Sequence, residues 1–262
     1  MARIFITGSS DSLGRMAAQS LVADGHVVVL HARDAARGRD AMDAVPGAAA
    51  VLTGDLASLA QTRRLAEAAN GHGPFDAVIH NAAIGFRERR RILTADGLPH
   101  VFAINTLAPY VLTALIRPPG RLIYVSSELH RRGHAGLDDL LWERRAWRGN
   151  QAYSDTKLHD VLLAFAVARR WPSVRANALE PGWVPTKLGG AHATGNLDAA
   201  HCTQTWLAVS DDAGAAVTGG YFFHKQPRKP SGATLDTGLQ DGLLAECARL
   251  SGVPFPNPAS AP

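Results

Sequence analysis

Tyr153 and Lys157 stand four residues apart in YSDTKLHDVLLAFAVARRW, which runs from Tyr153 to Trp171. On a helix this spacing puts both side chains on one face. An ammonium beside a phenol favours the phenolate and lowers the tyrosine pKa, which would make Tyr153 a usable general acid near neutral pH. Taken alone, such a pair is common on helices by chance. Ser127 closes the apolar stretch GRLIYVSS. A serine there is placed to donate to a carbonyl oxygen, because doubly wound folds put ligands at strand C-termini. Asn105 lies inside the apolar AINTLAPYVLTAL. A buried amide needs hydrogen-bond partners, so a structural and a catalytic role are both open for it.

A second constellation reads as a phosphate site. RIFITGSSDSLGRMAA, Arg3 to Ala18, has the form of a strand, a glycine turn and a helix start. Such a turn aims backbone N–H groups and the helix dipole at an anion, although any strand-to-helix turn also uses glycine. Gly8 and Gly14 are present, but Ser12 stands where a third glycine is expected. A positive φ would cost serine energy that glycine avoids. The expectation is therefore a Ser12 backbone that a non-glycine tolerates, with its hydroxyl toward the ligand. After the next apolar run, VVVLHARD carries Arg33 where NAD binders place an acid for the ribose hydroxyls. A guanidinium there is suited to a 2′-phosphate and favours NADP(H); the competing reading is a solvated surface arginine. Arg15 and Arg37 are further basic candidates.

These groups need a scaffold. Strand-like runs occur at Arg3–Thr7, Val27–His31, Ala49–Thr53, Ala77–His80, Arg121–Ser126, Arg175–Leu179 and Tyr221–Phe223, with helical periodicity between most of them. This rhythm predicts an α/β fold: a doubly wound, Rossmann-type parallel sheet of about seven strands with helices on both faces. One domain over 1–252 is expected, followed by an extended tail over 253–262, where four of ten residues are proline. Leu158, Val161, Leu162 and Phe165 predict a single apolar stripe on the Tyr153 helix, which Pro172 closes.

Composition bounds the function. The chain of 262 residues is 46% hydrophobic and 19% charged, with a net charge of +4, so charge alone does not imply nucleic acid. No signal peptide is visible and no apolar run approaches the ~20 residues of a membrane span, which predicts a cytoplasmic protein. Cys202 and Cys247 are the only cysteines, unpaired in spacing, as in a reducing compartment. FRERRR, Phe86 to Arg91, reads as a solvated run, as an anionic-substrate patch at the site rim, or, least well, as a nucleic-acid patch. His130 and His134 lack a third ligand at metal spacing and read as a flexible surface segment, so no metal is expected. Trp183, just before the glycine-rich stretch 187–206, and His192 and Trp206 within it are candidates to line or cover a pocket, with helix packing as the other reading of Trp206.

Together these residues resemble the short-chain dehydrogenase/reductase family over about residues 2–225. TGSSDSLG resembles its TGxxxGxG turn, GDL (Gly54–Leu56) its adenine contact, HNAAI its NNAG element and PGWVPT its PG motif. The resemblance implies a catalytic tetrad of Asn105, Ser127, Tyr153 and Lys157, with Ser127 favoured over Ser126. It implies cofactor contacts from Gly8, Ser10, Ser12, Leu13 and Gly14 in the turn, and from Arg33. Asp55 would meet the adenine amine, with Leu56 beside it. Asn81 and Ala82, Tyr153 and Lys157, and Pro181, Gly182, Val184 and Thr186 complete the implied cofactor set, the last two near the nicotinamide carboxamide.

The implied activity is NADP(H)-dependent interconversion of a carbonyl and an alcohol by hydride transfer. Tyr153 would be the general acid/base and Ser127 would bond the same oxygen. Lys157 would tune Tyr153 and hold the nicotinamide ribose, and Asn105 would position a water. NAD(H) is the alternative cofactor, and a non-catalytic NADP(H)-binding sensor the alternative role. A homodimer or homotetramer, no membrane and no nucleic acid accompany this reading. The segment from Ser126 to Leu163 is similar to retinol-dehydrogenase-like and WW-domain-oxidoreductase-like members, which act on hydrophobic carbonyls or alcohols. The chain departs from the family pattern at Ser12, at Asp11 where many NADP-using relatives carry a basic residue, at His80 in place of the first asparagine of NNAG, and where Ala83 is followed by Ile84 and glycine is usual.

Overall fold

Seven apolar runs pair as parallel strands in the computed structural model, which describes residues 1–256. They are β1 (Arg3–Ile6), β2 (Val27–Ala32), β3 (Ala50–Thr53), β4 (Ala77–His80), β5 (Arg121–Val125), β6 (Arg175–Glu180) and β7 (Tyr221–Phe223). An eighth strand, β8 (Gln226–Pro227), adds antiparallel to β7, giving the order β3-β2-β1-β4-β5-β6-β7-β8. The expected count of about seven missed β8 because a two-residue Gln–Pro strand carries no apolar alternation. The turn into it places His224 and Lys225 both at positive φ, as two-residue hairpin loops do. Strand order reverses where β4 returns to pair with β1, and this opens a crevice at the C-terminal ends of both.

Helices cover both faces: α1 (Ser12–Ala23), α2 (Ala35–Ala44), α3 (Leu59–His72), α4 (His100–Phe102), α5 (Ala108–Leu115), α6 (Gly149–Arg170), α7 (Leu197–Ala200), α8 (Cys202–Val209) and α9 (Thr237–Ser251). Asp11, Asp34, Ser58 and Asp236 cap α1, α2, α3 and α9 with side-chain oxygens that accept first-turn N–H groups. One core joins α3, α5, α6 and α9 to the sheet, and a second joins α1 and α8 to its other face. Burial on both sides is why the strands read as continuous apolar runs. No helix among the described residues is long and apolar enough to cross a membrane.

Three local expectations change. Helix α6 is buried at every position from Ala152 to Val167, not along one stripe. One side packs on β5 and β6, the other under α9 and the 3₁₀ turn Glu128–Arg132, so polar residues are enclosed as well. His130 is fully buried rather than on a flexible surface. Its Nδ1–H donates to the Ser127 carbonyl at 2.8 Å, and its Nε2 accepts the Ser231 N–H at 3.0 Å. At the start of the expected tail, Val253 is buried and Phe255 stacks on Trp171 with ring centroids 5.0 Å apart. Residues 257–262 of that segment lie outside the described residues.

Ser12 also differs from expectation. It opens α1 at φ 45°, in the left-handed region, and its hydroxyl donates to the Asp11 carboxylate at 3.4 Å. That backbone costs an L-residue about 1 kcal/mol. Ser12→Gly should therefore raise Tm by about 2–4 °C in a thermal melt. A fall in Tm would show that the Ser12 side chain contributes more than its backbone costs.

Candidate active site

The crevice at the ends of β1 and β4 is a cleft of about 510 Å³. Its floor exists because two glycines allow a close approach. A methyl at Gly14 would lie 2.4 Å from Asn81 Nδ2 and 2.6 Å from the Gly8 carbonyl. Gly8 has φ 65°, and a methyl there would lie 2.8 Å from Ala82 Cα. Asn81 ties the turn to β4 by donating its amide to the Thr7 and Gly8 carbonyls at 3.0 and 3.3 Å. Its backbone N–H donates to Thr7 Oγ1.

His31, on β2, was not singled out in the sequence, yet it joins two loops, the turn after β1 and the one after β3. Its Nδ1 accepts the Gly8 N–H at 3.0 Å, its Nε2 contacts the Gly54 carbonyl at 2.9 Å, and its own N–H donates to Ser9 Oγ at 2.8 Å. An accepting Nδ1 makes Nε2 the donor, so the ring is neutral. Burial lowers its pKa in agreement. His80 is likewise enclosed. It bonds Thr113 Oγ1 at 3.0 Å and is pushed down to about 3 by burial, so it is a framework residue.

Ser10, Ser12, Leu13 and Ala82 line the cleft near the turn, and Arg33, Arg37, Asp55 and Leu56 line its far end. Arg33 is exposed and bonds Asp34 at 3.3 Å, which leaves guanidinium donors free. Asp55 accepts the Ala57 N–H at 2.9 Å. Asp11 is ion-paired with Lys187, from the loop beyond β6. Burial resists ionisation of Asp11, but Lys187 and the Ser12 N–H bring its pKa below the usual value. The pair cancels the charge that would otherwise repel a phosphate. Bare glycines, first-turn N–H groups of α1 and two arginines fit a dinucleotide.

A second cavity of about 850 Å³ adjoins the first and is lined by Phe86, Ser127, Leu129, Trp183, Val184 and Phe223, among others. Gly182 lies in this lining, while Pro181 and Thr186 line both spaces. Thr186 Oγ1 accepts the Gly189 N–H at 3.0 Å and the Val184 carbonyl accepts the Thr186 N–H at 2.8 Å, so the PGWVPT segment is folded on itself. Of the pocket candidates, Trp183 lines the cavity and donates to the Gly189 carbonyl at 2.9 Å. His192 is exposed, and Trp206 packs on Phe222 and bonds Asp212. In the basic run, Arg87, Arg89 and Arg90 are exposed, whereas Phe86 meets Tyr153 edge-on at 5.6 Å.

Six residues line both cavities: Leu13, Ser126, Tyr153, Pro181, Thr186 and Leu188. Tyr153 is the titratable one among them. Lys157 is on the next turn of α6, its Nζ 5.6 Å from the Tyr153 ring centre. That ammonium donates to the Val125 carbonyl at 2.8 Å and to Asp160 Oδ2 at 2.8 Å. The expected lowering of the tyrosine pKa is reversed. Burial raises it, Lys157 pulls it back only in part, and Asp160 adds to the rise.

Ser126 and Ser127 are distinguished by their bonds. Ser126 Oγ donates to the Lys157 carbonyl at 2.7 Å and is committed to holding α6 on β5. Ser127 keeps its hydroxyl at the larger cavity, where it accepts only the Leu129 N–H at 3.3 Å. Asn105 lines neither cavity. It sits in the π-helical turn Ala103–Leu107, exchanges two bonds with the Ile84 backbone at 2.9 Å, and donates to Thr156 Oγ1 at 3.1 Å. Its side chain thus clamps the loop after β4 to α6. Ile84 and the π-turn supply this clamp, and neither announces it in the sequence.

Glu180, at the end of β6, is a further residue that motif reading passed over, though it directly precedes Pro181. It lines the larger cavity and is 8% exposed. Burial, then Glu128, raises its carboxyl to about 7.

Comparison with known proteins shows the family and the fold. The short chain dehydrogenase family matches over residues 2–139. An uncharacterised oxidoreductase of Emericella nidulans is 45% identical, covering 98% of this chain and 99% of its own. Retinol dehydrogenase 13 of Homo sapiens is 29% identical, covering 99% and 87%. A crystal structure of an uncharacterised Mycobacterium paratuberculosis protein superposes with a TM-score of 0.84 at 28% identity, covering 98% of this chain and 95% of that one. A blue fluorescent protein from a metagenomic library, solved in complex with NADPH, shares the fold with a TM-score of 0.68 at 24% identity, covering 84% and 95%.

Glu180 generates a stability prediction. Its folded pKa lies above its ordinary value, so it favours folding when protonated. That contribution is present below about pH 4.5 and lost as pH rises through about 7. Glu180→Gln should be more stable than the parent by on the order of 1 kcal/mol at about pH 8, with the difference closing near pH 4.5 in thermal melts. An equal offset at both pH values would contradict the assignment.

Proposed function

The chain belongs to the short-chain dehydrogenase family, and on that premise we propose that this oxidoreductase interconverts a carbonyl and an alcohol with NADP(H). The observation that carries the reading is the position of Tyr153, the titratable residue common to the cleft and the larger cavity. A nicotinamide bound in the cleft would supply the hydride. Tyr153 gives its proton to the substrate oxygen as charge develops there. Ser127 donates a second hydrogen bond to that oxygen, which favours the transition state over the ground state. Lys157 has one ammonium donor left for a ribose hydroxyl after Val125 and Asp160 are served. Asn105 acts through the shape of the site, since its amide is spent on Ile84 and Thr156.

Arg33 and Arg37, at the far end of the cleft, support a preference for a 2′-phosphate. The substrate space favours an apolar carbonyl of substantial size, because Phe86, Leu129, Trp183, Val184, Leu188 and Phe223 form much of its wall. Two free cysteines, Cys202 and the buried Cys247, suit a reducing, cytoplasmic setting.

Two measurements test this reading. Tyr153→Phe should bind NADPH as the parent does and oxidise it at least ~100-fold more slowly with aldehydes, ketones or quinones. Undiminished turnover would remove the role given to Tyr153, and a parent that binds NADPH yet is silent across the panel would point to a sensor. NADPH should bind more tightly than NADH, and Arg33→Ala should cost about tenfold for NADPH alone. Equal loss for both cofactors would free Arg33 of its 2′-phosphate role.

A further inference from the structure

Four carboxyl groups are nearly enclosed among the described residues: Asp139, Asp155, Asp160 and Glu180. Three of them have a cation. Asp139 and Asp155 share Arg145, at 3.2 and 3.1 Å, and Asp160 has Lys157, at 2.8 Å. Glu180 has no cation within ion-pair distance among the described residues. The Glu128 N–H supports it, and Arg131 and Arg228 act on it from farther away. Both arginines are engaged elsewhere. Arg131 donates to the Lys229 carbonyl and lies 3.8 Å from Glu128 Oε1, and the Arg228 guanidinium stands 5.7 Å from the Phe223 ring centre. An enclosed carboxylate in this position is costly unless something donates to it.

Strand alternation sets where Glu180 points. On β6, Ala176 and Ala178 face the core under α6, and Leu179 faces the core on the other side of the sheet. Glu180 continues the Ala176 and Ala178 face. It is the last residue of β6, and there that face opens onto the larger cavity. Much of the remaining wall is apolar, so the carboxylate is an isolated acceptor in the space that would hold the substrate.

We propose that Glu180 is a specificity-determining residue whose carboxylate accepts a hydrogen bond from a substrate hydroxyl, so that the preferred substrate is an apolar carbonyl compound carrying a hydroxyl apart from the reacting carbonyl. The carbonyl rests on the oxidoreductase reading above. Tyr153 and Ser127 serve the reacting oxygen there, so a different group of the substrate must serve Glu180. A few polar groups in an apolar pocket fix a ligand's orientation. A ligand without the hydroxyl would seal the carboxylate from water and offer no donor in exchange, and that penalty makes such a site selective. A neutral hydroxyl suits the site better than an ammonium. Glu128, in the same lining, is offset by Arg131, which leaves Arg132 to oppose a cation.

The test is binding rather than turnover. Isothermal calorimetry of the full-length protein at about pH 8, where the carboxyl is largely ionised, compares two ligands. One is 2-acetonaphthone carrying a hydroxymethyl group, and the other is its methoxymethyl counterpart, the pair being made at several ring positions. At one position or more the hydroxyl ligand should bind at least about tenfold more tightly, as a hydrogen bond to a charged group provides. In Glu180→Ala that ratio should fall to about one. A purely structural role would weaken both ligands alike and leave the ratio where it was. A ratio near one at every position in the parent, no binding by any hydroxyl ligand, or a ratio kept in Glu180→Ala would each overturn the proposal. Should Glu180→Ala not fold, Glu180→Leu, closer to the parent in volume, repeats the comparison. NADPH oxidation decides the oxidoreductase reading and plays no part in this measurement, so the two fail separately.

Discussion

Two buried hydrogen bonds fasten α6 to the end of β5, and the site depends on them. Lys157 Nζ donates to the Val125 carbonyl, and Ser126 Oγ donates to the Lys157 carbonyl. Each joins a side chain of one element to the backbone of the other, so neither α6 nor β5 can slide without breaking both. Tyr153 sits one turn before Lys157 and inherits this registry. That is how one side chain comes to face two cavities at once. Reaction geometry tolerates errors of well under an ångström, and a buried double tether is suited to that demand.

The tether places an ammonium in the interior, and the remainder of the site answers that cost. Asp160, one turn on along α6, compensates the charge. The buried histidines follow the same economy of charge: His31 and His80 are both held neutral by burial. His31 then uses its two ring nitrogens to join the glycine turn after β1 to the end of β3. At the rim, Asp11 and Lys187 cancel one another, while Arg33, Arg37 and Asp55 are the charged side chains of the far end.

Much of this was legible in the sequence. The strand runs gave the parallel sheet and its layers, because burial on both faces leaves an unmistakable apolar signature. Gly8, Gly14, Asn81, Arg33, Ser127, Tyr153 and Lys157 were legible as types at spacings. What stayed hidden are properties that depend on partners distant in the chain. Periodicity could not show that α6 is covered on every side, because α9 and the Glu128–Arg132 turn arrive from elsewhere. The Lys157–Asp160 contact was visible as KLHD, but only burial gives it meaning. The positive φ of Ser12, the loop-joining role of His31 and the raised carboxyl of Glu180 had no sequence signal beyond their residue types.

The central claim is that the cleft and the larger cavity form one reaction centre at Tyr153. Its most direct test is transfer of deuterium from NADPH labelled at the nicotinamide C4 to a carbonyl substrate, read by mass spectrometry and NMR of the product. The account predicts deuterium on the carbinol carbon, from one face of the nicotinamide only. NADPH oxidation with no label in the alcohol would contradict it.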